Sequence, residues 1–379
     1  MRDVQHRAVE ASVRASGALG LYAVAHGAVD AACVGTLWSA YYSGVLSSRA
    51  AWSAFFLYNL LAFAVQPLIG LGADRLGGGR TVAAAGALVT AAAVAVAALP
   101  QAVFAAIAIM GLGNSVFHVG GGVVSLKAAP GRATPLGVFV APGAAGVLAG
   151  TLVGRAGGPV WLFALALLPL AIGVLALPAP QFAGARTPAR PAGAAARPAG
   201  ASVEVIVLLL LLVIAVRAYV GMAVVLPWKS DMSLLAALTT GVVLGKALGG
   251  VLADRFGWRV VGVSALLLSI PLLALGPSSA SAGIAGAFIF NMTMPITLVA
   301  VAHALRGHEG FAFGLTCLAL FAGSAPVLVG GPGMSAATLV LAALVAAAAL
   351  WVALGRLLPQ PAFRRARLKA PAAVKQGLE

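Results

Sequence analysis

Twelve apolar stretches, each 17 to 28 residues long, fill most of this 379-residue chain. About 20 such residues cross the hydrocarbon of a bilayer as a helix. No water-facing fold can bury twelve of them, so the solvent for most of the chain is lipid. In lipid every backbone N–H and C=O must be paired internally, which leaves helices as the spanning element for runs of this length. The first six stretches lie at about 17–44, 50–72, 81–99, 102–126, 134–154 and 159–177. The second six lie at about 203–226, 232–252, 260–276, 281–303, 310–331 and 334–357. Composition agrees: 61% of residues are hydrophobic and 9% charged, against about 25% charged in a soluble domain.

The two sets of six repeat one another. Gly70-Leu71-Gly72-Ala73-Asp74-Arg75-Leu76-Gly77 closes the second stretch, and Gly250-Val251-Leu252-Ala253-Asp254-Arg255-Phe256-Gly257 closes the eighth. Both read Gly-x-x-x-Asp-Arg-x-Gly, and both are followed by an Arg, at Arg80 and Arg259. Glycine permits a tight turn and close packing of a neighbouring helix. The Asp can accept from the first amides of another helix. Asn114 recurs as Asn291, and Gly137 as Gly314, at a common offset. Between the sets lies 178–202, with Pro178, Pro180, Pro188, Pro191 and Pro198 among Ala, Gly and Arg. Such a segment cannot form a packed core. The expected domains are a first half at 1–177, this linker, a second half at 203–357 and a basic tail at 358–379.

Net charge is +15. The cations do not gather on one soluble face, as a nucleic-acid site requires, but fall in loops and the tail. With both termini in the cytoplasm, nineteen Lys and Arg lie on that side. Only Arg49, Arg155 and Lys229 lie opposite. That bias sets the expected orientation, and it suits contact with anionic lipid. The charged segment from Arg2 to Arg14 precedes an apolar run too long for a signal peptide. A multi-pass protein of the plasma or inner membrane, acting as a monomer, is expected. Cys33 and Cys317 lie within apolar runs and imply neither a disulfide framework nor a metal motif. No cofactor motif and no nucleophile–base constellation is visible, so neither a cofactor nor an enzyme is expected.

The duplicated Gly-x-x-x-Asp-Arg-x-Gly resembles the signature loop of the major facilitator superfamily. In that family it joins spans two and three, and eight and nine. The resemblance covers roughly the whole chain. It implies twelve helices in two pseudo-symmetric six-helix halves, with spans one, four, seven and ten lining a central cavity. Within the family, residues 20–150 resemble the fosmidomycin resistance protein branch. The resembling residues are Ala25-His26 with Asp30, Gln66-Pro67, and Gly111-Leu112-Gly113-Asn114-Ser115-Val116-Phe117-His118. That branch follows the Phe-His with Pro-Glu, whereas Val119-Gly120 follow here.

Ionisable groups inside spans are the first functional candidates, because hydrocarbon makes each one costly. His26 and Asp30 are four apart and share a helix face; His118 stands four after Asn114. Arg217 is fifteen residues into span seven, about 22 Å along the helix. These residues with Asn291, and with Thr293 and Thr297 beside it, fall on the four spans that line the cavity in the family resembled. A structural Asp30–Arg217 ion pair is the competing expectation. Lys246 and His303 read as boundary groups, and Lys246 can snorkel. Asn59 and Gln66 read as packing groups in span two. The small-residue run from Ala141 to Gly154 partly resembles an antiporter motif and equally suits close helix packing.

The function expected is secondary active transport of a small molecule, an organic anion or drug-like solute, by alternating access, with proton-coupled efflux as the form considered first. Asp30 and the histidines are the proton carriers available. Gly70, Asp74, Arg75 and Arg80, with Gly250, Asp254, Arg255 and Arg259, form the expected conformational latches. An uptake carrier, a uniporter and a transporter-like scaffold of a membrane complex are the alternatives.

Overall fold

The structure is a computed structural model that describes residues 2–182, 202–331 and 333–358, with the backbone alone for 2–11. Most of the linker and nearly all of the basic tail lie outside the described residues. Twelve helices cross the bundle. They are α1 (Arg2–Tyr42), α2 (Ser48–Leu76), α3 (Gly79–Val96), α4 (Pro100–Ala128), α5 (Thr134–Arg155) and α6 (Trp161–Ala176). There follow α7 (Val203–Ala223), α8 (Met232–Phe256), α9 (Trp258–Leu275), α10 (Ala280–Ala304), α11 (Glu309–Leu328) and α12 (Ala336–Leu357). Among the described residues eleven are long and apolar enough to span a membrane, and α6 is a shorter apolar helix of 16 residues. Most observed ends fall within a few residues of those expected. The exception is α1, which extends back to Arg2 through the charged N-terminal segment.

The repeated motif sets the turns. Gly77 closes α2 with φ +67, and Gly257 closes α8 with φ +98. Side chains with a Cβ are strained there, so the last glycine of each motif lets the chain reverse into the next helix. Ser47, Ser202, Asp231, Ser279 and Ser335 cap the N-termini of α2, α7, α8, α10 and α12 through their side chains. Within α2 a π-helical turn at Leu60–Ala64 precedes Pro67, which has no amide to donate. Asn59 and Gln66 each donate to the carbonyl four residues earlier, at 2.8 and 2.7 Å.

Small residues decide which helices meet. Gly146 of α5 faces the backbone of Gly27 on α1, and Gly150 and Gly154 face Ala31 and Gly35 further along. A Cβ at any of the three would strike backbone, so glycine is what lets α1 and α5 approach this closely. Gly86 of α3 faces Phe117 of α4 in the same way. The small-residue face of α5 therefore packs on α1 and holds its polar positions in place.

The first six helices meet the last six along two matching seams, α2 against α11 and α5 against α8. Gly70 faces Gly310, and its repeat partner Gly250 faces Ala133 and Thr134. Gly314 faces Gln66 and Pro67, and its repeat partner Gly137 faces the carbonyl of Lys246. The repeat read from the sequence is thus a pseudo-twofold relation in space. Its contacts concentrate towards the end of the bundle that carries the two Gly-Asp-Arg motifs, called the loop end below.

Candidate functional site

The close approach of α1 to α5 brings His26 and Asp30 into the interior of the first six helices, where His118 of α4 meets them. His26 is 5% exposed, Asp30 9% and His118 5%. His26 Nε2 lies 2.8 Å from His118 Nε2 and 3.3 Å from Asp30 Oδ2. His118 Nε2 lies 3.8 Å from Asp30 Oδ1. Each ring turns its other nitrogen to a backbone carbonyl: His26 Nδ1 to Phe139 at 2.8 Å, His118 Nδ1 to Asn114 at 2.9 Å. Asn114 is fully buried, and its Nδ2 donates to Asp30 Oδ1 at 3.0 Å and to the Tyr58 hydroxyl at 3.1 Å. Phe117 and Phe139 wall the His26 ring. The carboxylate is buried, accepts from Asn114 and lies within 4.0 Å of a nitrogen of each histidine ring.

Arg217 stands apart from this group. It is 8% exposed in α7 and lies over the Phe290 ring of α10 at 5.2 Å. Its Nε has no hydrogen-bond partner, and no carboxylate lies within 4.0 Å among the described residues. The competing expectation of an Asp30–Arg217 ion pair is not met; the carboxylate faces the two histidines and Asn114 instead.

Lys246 is the second correction. It is not a boundary cation, because it sits ten residues, about 15 Å, before the end of α8. Its Nζ is 3.5 Å from the Val140 carbonyl across the seam. It lies within electrostatic reach of both Asp30 and Arg217. The repeat offers a signal that would have found it: Lys246 stands eight residues before Asp254, as Gln66 stands eight before Asp74. Tyr58 was also missed, since an aromatic in an apolar run reads as packing. Asn291 donates to the Ala287 carbonyl of its own helix at 2.8 Å. Thr293 and Thr297 likewise bond back into α10. His303 ends α10 beside Arg306 and the Trp258 ring.

At the loop end each motif Asp reaches across a seam. Asp74 Oδ1 and Oδ2 accept from the first amides of α11, Gly310 at 2.7 Å and Phe311 at 2.9 Å. Asp254 accepts from Ala133 at 2.7 Å and Thr134 at 2.9 Å, the start of α5. These are charge-assisted caps on positive helix ends. Arg132 Nε adds a contact to Asp254 at 3.6 Å, and Lys127 meets Glu309 at 4.0 Å. The motif arginines stay within their own six helices. Arg80 donates to the Leu177 carbonyl at 3.3 Å, Arg255 lies over Phe256, and Arg259 over Trp351. Arg75 is exposed in the last turn of α2.

No family model matches the sequence, and no curated protein matches it. Solved structures match along nearly the whole length. The E. coli fucose:proton symporter FucP is 12% identical, with 93% of this chain and 99% of that one covered and a TM-score of 0.61. The human organic anion transporter MFSD10 (TETRAN) is 18% identical, with 91% and 97% covered and a TM-score of 0.60. The nucleoside transporter NupG is 14% identical, with 90% and 99% covered and a TM-score of 0.51. Twelve helices, two pseudo-symmetric sets of six and these likenesses give one conclusion: this multi-pass membrane protein has the fold of the major facilitator superfamily transporters.

Proposed function

We propose that the chain is a secondary active transporter that carries a small organic anion by alternating access. The observation that carries this reading is Arg217. A guanidinium buried deep in a bundle, with a free Nε and no carboxylate, is costly unless something brings it a negative charge. Lys246 adds a second cation nearby, and the interior carboxylate, Asp30, is turned to Asn114 and the two histidines and not to Arg217. A carboxylate, phosphate or phosphonate on a solute would complete the pairing with two parallel hydrogen bonds. The resemblance of residues 20–150 to the fosmidomycin resistance branch supports the same solute chemistry. So does the fold likeness to an organic anion transporter, while the likeness to a fucose:proton symporter supports protons as the driving ion.

In this reading the halves 1–177 and 203–357 rock about the interior groups, joined by the linker 178–202. The Asp74 and Asp254 caps hold the loop end shut in one state and release in the other. The loop end faces the cytoplasm with both termini and the basic tail at 358–379, in the plasma or inner membrane, and the protein acts as a monomer. Protons are the driving ion, taken up at Asp30 with His26 and His118.

The test is purified protein in liposomes, with and without a pH gradient, offered carboxylates, phosphonates and hydrophobic cations. Accumulation of an anion that depends on the gradient is expected. Asp30→Asn should abolish that accumulation while leaving exchange of solute for solute. Transport of hydrophobic cations alone would overturn the anion reading, and accumulation unchanged in Asp30→Asn would remove Asp30 as the coupling group.

A further inference from the structure

His26 and His118 meet in a way that turns two bare nitrogens and a carboxylate towards one spot. Both Nδ1 atoms face backbone carbonyls, at 2.8 and 2.9 Å. A carbonyl only accepts, so both Nδ1 atoms carry hydrogen, and a neutral ring then has a bare lone pair on Nε2. The two Nε2 atoms are 2.8 Å apart. Two lone pairs hold that distance only with a cation between or beside them.

The ring geometry admits a metal ion. A straight N–H···N bond would set the ring centres roughly 5 Å apart. They are 4.3 Å apart, with planes at 82°. The rings are therefore tilted off that line, as they would be if both turned towards a point beside it. If both ring axes meet there, similar triangles put that point about 2.2 Å from each Nε2, close to a metal–imidazole bond. The angle between the two axes is then roughly 80°, near that of adjacent octahedral positions.

Two further features bear on the site. A Cβ at Gly143 would stand 2.5 Å from His26 Nε2 and 2.7 Å from Asp30 Oδ2, so only glycine lets α5 pass this close to both side chains. The surrounding hydrogen bonds also have the form found around metal ligands: carbonyls orient both rings, and Asn114 orients the carboxylate. No metal motif is visible in the sequence, because the third ligand comes from α4.

We propose that His26, His118 and Asp30 form a two-histidine, one-carboxylate site for a divalent first-row transition-metal ion. The remaining positions are taken by water. Where the histidine pair holds an extra proton, that proton leaves as the metal enters. While the ion is bound these three groups cannot take up protons, so the metal-bound protein is a state in which proton coupling at Asp30 is blocked; the site does not depend on which solute is carried.

The experiment titrates Co2+ into tag-free, chelator-stripped protein in detergent, read by visible absorption, with Zn2+ followed by calorimetry. One saturable equivalent per chain is expected. His26→Gln and His118→Gln should each weaken binding tenfold or more, while His303→Gln, at the loop end of α10, leaves it unchanged. Asp30→Asn keeps the side-chain shape and serves if a histidine variant fails to fold, as judged by melting; it too should weaken binding tenfold. Lys246→Met removes a nearby cation and should tighten binding severalfold. Absence of saturable binding at millimolar Co2+, or binding unchanged in the folded site variants, would overturn the proposal. A protein that binds Co2+ but moves no solute would keep the metal site and lose the transport reading, and the converse result would do the reverse.

Discussion

Asp254 and Thr134 are joined twice across the seam between α8 and α5: Asp254 Oδ2 accepts the Thr134 backbone amide at 2.9 Å and its hydroxyl at 2.6 Å. Asp74 makes the matching cap on α11 without a hydroxyl partner. An Asn at either position replaces one acceptor oxygen by an NH2 that faces a backbone N–H. Charge-assisted hydrogen bonds contribute about 1.5–3 kcal/mol each. On the proposed alternating-access reading these contacts hold only while the loop end is closed, so their loss shifts the conformational balance more than it unfolds the chain. Asp74→Asn and Asp254→Asn should each lower transport tenfold or more with little change in melting temperature. Cysteines placed near Gly131 and Gly307 should label faster in both variants. Wild-type transport in both would reduce the motif to a turn.

The glycine seams make a second prediction about stability alone. Gly146→Val drives a side chain into the Gly27 backbone, and overpacking of this kind costs about 1–3 kcal/mol or more. Gly20 on α1 has nothing within 4 Å of a new Cβ, so Gly20→Ala should stabilise by about 0.5–1 kcal/mol through backbone entropy. Thermal melts in detergent check both, and equal melting temperatures would mean that α1 and α5 can separate freely at this point.

These cases show what the sequence makes legible. Long apolar runs fix the helices, because hydrocarbon permits little else. The recurring Gly and Asp positions fix the seams, because each is needed at one place in a twofold arrangement. The partners of Asp30 were not legible. Its pairing with His118 rather than Arg217 depends on how far α1 rotates against α4 and α5, which the glycine contacts set and helix periodicity does not. Lys246 reads as a boundary cation because it lies near the end of the eighth apolar run, whereas the helix continues to Phe256 and the seam holds the side chain at the Val140 carbonyl.

Topology is testable directly. Cys33 and Cys317 are buried, so background labelling is low. Cysteines at Arg49 and Lys229 should react with an impermeant thiol reagent added outside intact cells. Those at Ala189 and Lys369, both outside the described residues, should react only after lysis. Labelling at Ala189 from outside would invert the orientation drawn from nineteen cations against three.

Arg217 gives the sharpest test of what is carried. Its guanidinium rests on the Phe290 ring at 5.2 Å and leaves Nε unbonded. A planar fork held over a ring is set to grip a carboxylate or phosphonate with two parallel bonds. Lysine keeps the charge but offers a single point of attachment. Arg217→Lys should therefore lose about one charge-assisted hydrogen bond, some 1.5–3 kcal/mol, which is tenfold or more in affinity. The charge is retained in a site that already tolerates it, so melting temperature should change little. Calorimetry on both proteins with the carried solute measures the difference. An unchanged affinity would mean that the solute does not touch Arg217, and the buried guanidinium would then serve only the packing of α7 against α10.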